Sequence, residues 1–363
     1  MTAARGAYTR PKSLEEHAMT IAASGPRPRP GIMDIAAYVP GGSKAPGAMT
    51  VHKLSSNESA LGCSPQAVAA FVETSGTLHR YPDGTATGLR EKIAKLHGLD
   101  WTRIVCGAGS DELLQLLVRG YAGPGDNIVQ SDHGFLVYAI AAKGAGATPR
   151  FAPEKNLVAD VDAMLRLVDG DTRIVFLANP NNPTGTYLPD SEVRRLHAGL
   201  PRDVLLVVDS AYAEYMEEKD YADGAALVDE FDNVVMTRTF SKIYGLAALR
   251  LGWAYCPKGV ADVLNRIRGP FNVTTTALAA GEAALGDQAF VARNRAHNRT
   301  ERDYLCQQFA RLKLDYVKSF GNFLLADLKT PERASAVQTA LKKEGVIVRE
   351  VGAYKLGRYL RIT

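Results

Sequence analysis

Between residues 50 and 260, short strand-like runs of apolar and β-branched residues alternate with runs of helical periodicity. The strand-like runs are Arg103–Cys106, Asn127–Ser131, Arg173–Ala178, Val204–Asp209, Asn233–Thr237 and Gly252–Cys256. Helical runs between or before them include Thr87–Leu96, Asp111–Arg119 and Ser191–His197. Parallel neighbours need a crossover of a dozen or more residues, usually a helix, so this alternation predicts an α/β fold with a mainly parallel sheet covered on both faces. Few other folds accept such a chain. After Phe271 the pattern changes to a helical stretch, Thr274 to Leu312, with a break expected near Gly286. Short strands then follow at Phe323–Leu328, Val346–Arg349 and Tyr359–Ile362, the pattern of a smaller α+β unit. The expected organisation is a flexible arm over 1–30, which is basic and Pro-rich, and a segment over 31–50 joining the smaller unit. A larger domain over 51–270 and a smaller one over 271–363 follow.

At 363 residues the chain exceeds what one hydrophobic core usually serves, which supports two units. The net charge of +4 is small and no Lys/Arg block dominates, so nothing calls for nucleic acid. The four cysteines, Cys63, Cys106, Cys256 and Cys306, lie far apart and match no metal spacing; they read as reduced thiols of a cytoplasmic protein. No apolar run reaches membrane-spanning length and no metal site is expected.

Ligands of a parallel sheet sit outside the carboxyl ends of its strands, and each loop there carries a polar group. Gly107-Ala-Gly-Ser-Asp-Glu112 follows a strand and opens a helix, so its backbone N–H groups and Ser110 can cradle a phosphate. Taken alone it is equally an ordinary tight turn. Asn179-Pro-Asn-Asn-Pro-Thr-Gly185 ends the next strand and offers Asn182, although turn-forming residues alone account for such a loop. Val207-Val-Asp-Ser-Ala-Tyr212 puts Asp209 at a strand end, where a carboxylate either pairs with a protonated ring nitrogen or caps a helix. The run Arg238-Thr-Phe-Ser-Lys-Ile-Tyr-Gly-Leu-Ala-Ala-Leu-Arg-Leu-Gly252 then places Ser241 and Lys242 after a strand and Arg250 eight residues later. A lysine that forms an imine needs a rigid mount, and a phosphorylated cofactor beside it needs a hydroxyl and a cation. The order of these groups at successive strand ends carries the signal.

These blocks resemble the fold-type I pyridoxal-phosphate transferases and, within them, the histidinol-phosphate aminotransferase family. The resemblance runs from about Pro30 to the last residue. It also includes Ala37-Tyr-Val-Pro-Gly41, Lys53-Leu-Ser-Ser-Asn-Glu58, Arg80-Tyr-Pro-Asp83, Pro270-Phe-Asn-Val273, Gly321-Asn-Phe323 and Tyr359-Leu-Arg-Ile-Thr363. It implies pyridoxal 5′-phosphate on Lys242, with Asp209 at the pyridine nitrogen and Asn182 and Tyr212 at the phenolic oxygen. Ala108, Gly109, Ser110, Ser241 and Arg250 would form the phosphate cup, and Phe135 would stack on the ring. Tyr81 would reach the phosphate of the neighbouring subunit, which makes the implied protein a homodimer with sites at the interface. Arg361 would bind the amino-acid carboxylate, Arg349 a second acid or phosphate, and Tyr38 and Asn322 would line the substrate end. The implied reaction converts L-histidinol phosphate and 2-oxoglutarate to imidazole acetol phosphate and L-glutamate, a step of histidine biosynthesis on small amino and 2-oxo acids. Three other readings share the scaffold: an aromatic amino-acid aminotransferase, a phospho-amino-acid decarboxylase, and a non-catalytic regulator. Two departures from the family pattern stand out: Ser210 where glutamate usually follows the aspartate, and His133-Gly134 in place of Pro-Thr. The family pattern also continues into a terminal helix beyond Thr363, and Met19 offers an alternative start.

Overall fold

The structure, a computed structural model, describes residues 27–363; most of the expected N-terminal arm lies outside them. Seven strands form the larger sheet: β2 (Ile104–Gly107), β3 (Asn127–Ser131), β4 (Thr148–Ala152), β5 (Thr172–Ala178), β6 (Leu205–Asp209), β7 (Val234–Thr239) and β8 (Gly252–Tyr255). Their order is β2-β8-β7-β6-β5-β3-β4. The run β7-β6-β5-β3-β4 is parallel throughout, while β8 runs antiparallel to both its neighbours. Every residue of β3, β6 and β7 is buried, which is why those strands read as unbroken runs and not as alternating ones. The strand β4 escaped the sequence reading because it lies at the sheet edge, half-exposed, and contains Pro149.

The smaller sheet has the order β1-β11-β12-β10-β9, built from β1 (His52–Leu54), β9 (Asp315–Val317), β10 (Leu324–Asp327), β11 (Val346–Glu350) and β12 (Tyr359–Ile362). Two of its relations differ from the boundaries expected from sequence. β1, expected with the larger domain, pairs in parallel with β11 of the smaller sheet. Helix Thr275–Gly286, expected with the smaller domain, buries Ala277, Ala280, Ala284 and Leu285 in the core beneath the larger sheet. Pattern alone assigns a helix to its sequence neighbours; burial assigns it to its packing partners.

The expected break near Gly286 is built by Asp287. Its carboxylate accepts from the Phe290 backbone N–H (3.0 Å) and from the Ser64 hydroxyl (2.6 Å), so it caps a second helix, Gln288–Arg311. That helix spans about 36 Å at 1.5 Å per residue. It starts with Val291 in the larger core and ends with Phe309 in the smaller one.

Candidate active site

Strands β2, β5, β6 and β7 all end at one edge of the larger sheet, and Gly252 at the start of β8 pairs with both Gly107 and Thr239. A Cβ at Gly252 would overlap the Ser110 backbone nitrogen, so only glycine lets the helix Ser110–Tyr121 begin directly against the end of β7. That approach makes the floor of a cavity of about 250 Å³. Eleven of the residues singled out by sequence line it: Tyr38, Ser110, Phe135, Asn182, Asp209, Tyr212, Ser241, Lys242, Arg250, Arg349 and Arg361.

At the cup end, Arg250 donates to the Ser241 hydroxyl (3.3 Å) and reaches the Asp111 carboxylate (3.2 Å). Gly109, at φ +81°, passes so close that a Cβ there would lie 2.5 Å from Arg250 Nη2. The N–H groups of Ala108 and Gly109 are already engaged, by Glu112 Oε2 (2.6 Å) and Gly107 O (2.8 Å). The helix start at Ser110, Ser241 and Arg250 would therefore be the donors left to an anion, while Ala108 and Gly109 shape the loop.

Asp209 is 4% exposed. Tyr138 donates to its Oδ2 (2.7 Å) and Thr237 to its Oδ1 (3.2 Å). Burial pushes its pKa up to about 6, against these two hydrogen bonds, which favour the ionised form. A buried carboxylate of this kind would suit a cationic ring nitrogen. Lys242 sits opposite, 5.7 Å from the Tyr212 ring centroid, and burial, with the Arg361 charge second, pulls its pKa down to about 8.

Arg361 donates to Asn182 Oδ1 (2.5 Å) and to Ser55 O (2.9 Å), while its buried Nε has no partner among the described residues. Engaging the Asn182 carbonyl leaves the amide N–H₂ of that residue as a donor for a phenolic oxygen. Arg349 stands directly opposite Arg361 on the neighbouring strand, holds Val39 O (2.7 Å) and lies over the Tyr38 ring at 5.9 Å. Two guanidiniums as cross-strand partners repel unless an anion sits between or beside them.

Four residues singled out by sequence do not line the cavity: Ala108 and Gly109 of the loop described above, and Asn322 and Tyr81. Asn322 is buried behind it, donating to the backbone carbonyls of Asn57 (3.1 Å) and Glu58 (3.3 Å). Tyr81 is 82% exposed and stacks on Phe271 at 4.5 Å. Sequence reasoning missed Tyr138, Thr237 and Asn57. Thr237 had a signal, because it is a polar residue in an apolar strand that pairs in register with Asp209. Tyr138 had none; it meets Asp209 only through the packing of helix Leu136–Ala145.

Both departures from the family pattern are internally satisfied. Ser210 is fully buried and donates to Asp223 O (2.7 Å), and Asp223 pairs with Arg238 (2.8 Å), which also faces Glu214 (3.7 Å). His133 is held by Glu154 through its ring nitrogen (2.8 Å) and its backbone N–H (3.2 Å).

The residues present fit pyridoxal phosphate: a hydroxyl, a guanidinium and a helix N-terminus for the phosphate, a buried carboxylate for the ring nitrogen, and an amine of lowered pKa. Comparison with known proteins agrees. Residues 50–363 match the family of class I and II aminotransferases. The chain is 57% identical over 340 residues to the histidinol-phosphate aminotransferase of Rhodospirillum rubrum, covering 93% of this chain and 92% of that one. It is 56% identical to the Rhodospirillum centenum enzyme of the same name, over 94% of each. The crystal structure of histidinol-phosphate aminotransferase from Sinorhizobium meliloti in complex with pyridoxal-5′-phosphate superposes with a TM-score of 0.86, at 27% identity over 94% of both chains. A Thermus thermophilus aspartate aminotransferase variant, at 22% identity and a TM-score of 0.75, shares the fold. The chain belongs to the class I and II aminotransferases, enzymes built around pyridoxal phosphate.

Proposed function

We propose that this chain transaminates L-histidinol phosphate with 2-oxoglutarate, giving imidazole acetol phosphate and L-glutamate in histidine biosynthesis. The observation that carries it is one cavity joining Lys242, Asp209 and the Ser241–Arg250 cup to the facing pair Arg349 and Arg361. When bound, pyridoxal phosphate supplies a conjugated ring that accepts the electron pair released as a Cα–H bond breaks. Asp209 holds a negative charge where the ring nitrogen would lie, and Tyr212 and Asn182 offer donors to the phenolic oxygen. Lys242, with its lowered pKa, would serve as the base that takes the Cα proton at its Nζ and returns it to the carbon on the far side of the linking nitrogen, two atoms along. Arg361 receives the α-carboxylate of glutamate through its unspent Nε. Arg349, next to it, receives the second acid group or the phosphate ester, so one site serves both donors.

Aromatic side chains at Tyr38 and Tyr354 also line the cavity and would accept a phenyl ring as readily as an imidazole. The test is steady-state transamination with histidinol phosphate and with phenylalanine, in the wild-type chain and in Arg349→Ala. Histidinol phosphate should be preferred, and the substitution should cost it about ten- to hundredfold in kcat/KM, with phenylalanine far less affected. Equal losses would make the aromatic aminotransferase the better reading.

The same reading makes the working protein a homodimer. Val68, Phe71 and Val72 on helix Pro65–Glu73, with Leu78, Tyr81 and Phe271, leave large apolar side chains exposed on this chain, and a second copy is the partner that would cover them. Among the described residues no helix is long and apolar enough to cross a membrane. The four free thiols suit the cytoplasm.

A further inference from the structure

Asn57 lines the cavity and is held through its backbone N–H, its carbonyl and both ends of its side-chain amide, yet the transamination chemistry above gives it no part. It is 1% exposed and adopts φ +56°, a backbone conformation that asparagine tolerates better than most residues. Its Nδ2 lies 2.7 Å from the Tyr212 hydroxyl. The orientation of its amide is set from the other side: the Thr363 hydroxyl donates to Oδ1 (3.2 Å) and accepts from the Asn57 backbone N–H (3.0 Å). Its carbonyl accepts from Asn322 Nδ2 (3.1 Å). Because Oδ1 accepts from Thr363, the nitrogen is the atom that faces Tyr212, and an amide nitrogen can only donate.

A phenol oxygen that accepts one hydrogen bond must place its own proton elsewhere. Among the described residues no acceptor takes the proton of Tyr212, whose side chain lines the cavity. We infer that Asn57 is a positioning residue: its amide turns the Tyr212 proton toward the cofactor's phenolic oxygen, and Thr363 and Asn322, at the end of β12 and just before β10, hold that amide in place. The bond links the smaller sheet to the electronics of the cofactor. A shift of β12 by a fraction of an ångström changes how well Tyr212 can donate. This inference rests on the pyridoxal-phosphate reading of the cavity and is independent of which amino donor is used.

The test follows from what Tyr212 does to the Lys242 linkage. Donation to the phenolic oxygen draws off charge that would otherwise hold a proton on the linkage nitrogen. Losing it therefore moves the titration of the cofactor's visible band to higher pH. Asn57→Gly removes only the amide, since glycine adopts positive φ without strain. In the cofactor-loaded protein its band should titrate about 0.4–1 pH unit higher than in the wild type. In a Tyr212→Phe background the same substitution should shift it by much less, because the group through which Asn57 acts is gone. An unmoved titration in Asn57→Gly overturns the inference, and so does an equal shift in the Tyr212→Phe background, which would mark a general structural effect. A wild-type chain with no cofactor band at all would instead sink the cofactor reading, and this inference with it.

Discussion

Asp209 illustrates how the site trades stability for readiness. A carboxylic acid whose pKa rises from 3.8 to about 6 on folding binds protons more tightly in the folded state than in the unfolded one. The stability of the cofactor-free chain therefore falls as pH climbs through that window, and above about pH 6 the penalty is fully present, at most about 3 kcal/mol. Asp209→Asn keeps the shape and the acceptor for Tyr138 while removing the charge. The cofactor-free variant should melt higher than wild type at pH 7 and no higher at about pH 3, below the unfolded pKa, while kcat falls by orders of magnitude. A wild-type rate in the variant would refute the ring-nitrogen role. Lys242 shows the same logic with the opposite charge. At a pKa of about 8, roughly a tenth of it is neutral at pH 7, against about one part in three thousand at its ordinary 10.5. The rate of cofactor capture, followed by absorbance, should rise about tenfold from pH 6 to 7 and level off above pH 8. A rise continuing to pH 10 would mean the amine is not perturbed.

At the scale of elements, the segment from Ser241 to Gly252 depends on glycines that no side chain can replace. Gly245 sits at φ +70°, and a Cβ there would overlap the carbonyl oxygen of Gly62, a backbone atom that cannot rotate away. Gly245→Ala should cost more than about 2 kcal/mol and weaken cofactor binding, because the same segment carries Lys242 and Arg250. Thermal melts and cofactor titration would read both effects; an unchanged melt would show that the loop yields. The larger sheet was legible from sequence because its strands are buried on both faces and so appear as apolar runs. The polar groups at their ends were legible because a strand end followed by Gly, Asn, Asp or Ser-Lys is unusual in combination. Three-residue strands such as β1 and β9, and the proline-bearing edge strand β4, carry too little pattern to stand out. Tyr138 and Asn57 act through contacts between elements distant in the chain, 71 and 155 residues from their partners, and no local pattern encodes such a meeting.

At the scale of the whole molecule, one chain is expected to be insufficient. Tyr81 does not line its own chain's cavity; it is exposed and stacks on Phe271, so in a homodimer its hydroxyl would be free to reach the site of the other copy. Mixing an inactive Lys242→Ala chain with an inactive Tyr81→Ala chain should restore activity, since each hybrid dimer contains one site with both groups intact. No recovery after exchange, or a fully active monomer by sedimentation, would remove the basis for a shared site. Chain order has a separate consequence. The core that mounts Asp209, Lys242 and Arg250 is mostly filled by Gly286, with Val291 and Phe323 joining later, whereas Arg361 lies on an interior strand of the smaller sheet about seventy-five residues beyond Gly286. At 5–20 residues per second that is a delay of roughly 4–15 s during synthesis. Ribosome-bound chains arrested just short of β12 should therefore capture the cofactor through one protomer's own groups while remaining blind to amino acids; arrested chains that stay cofactor-free would contradict this. Biosynthesis then loads the catalyst before it opens the door to its substrate.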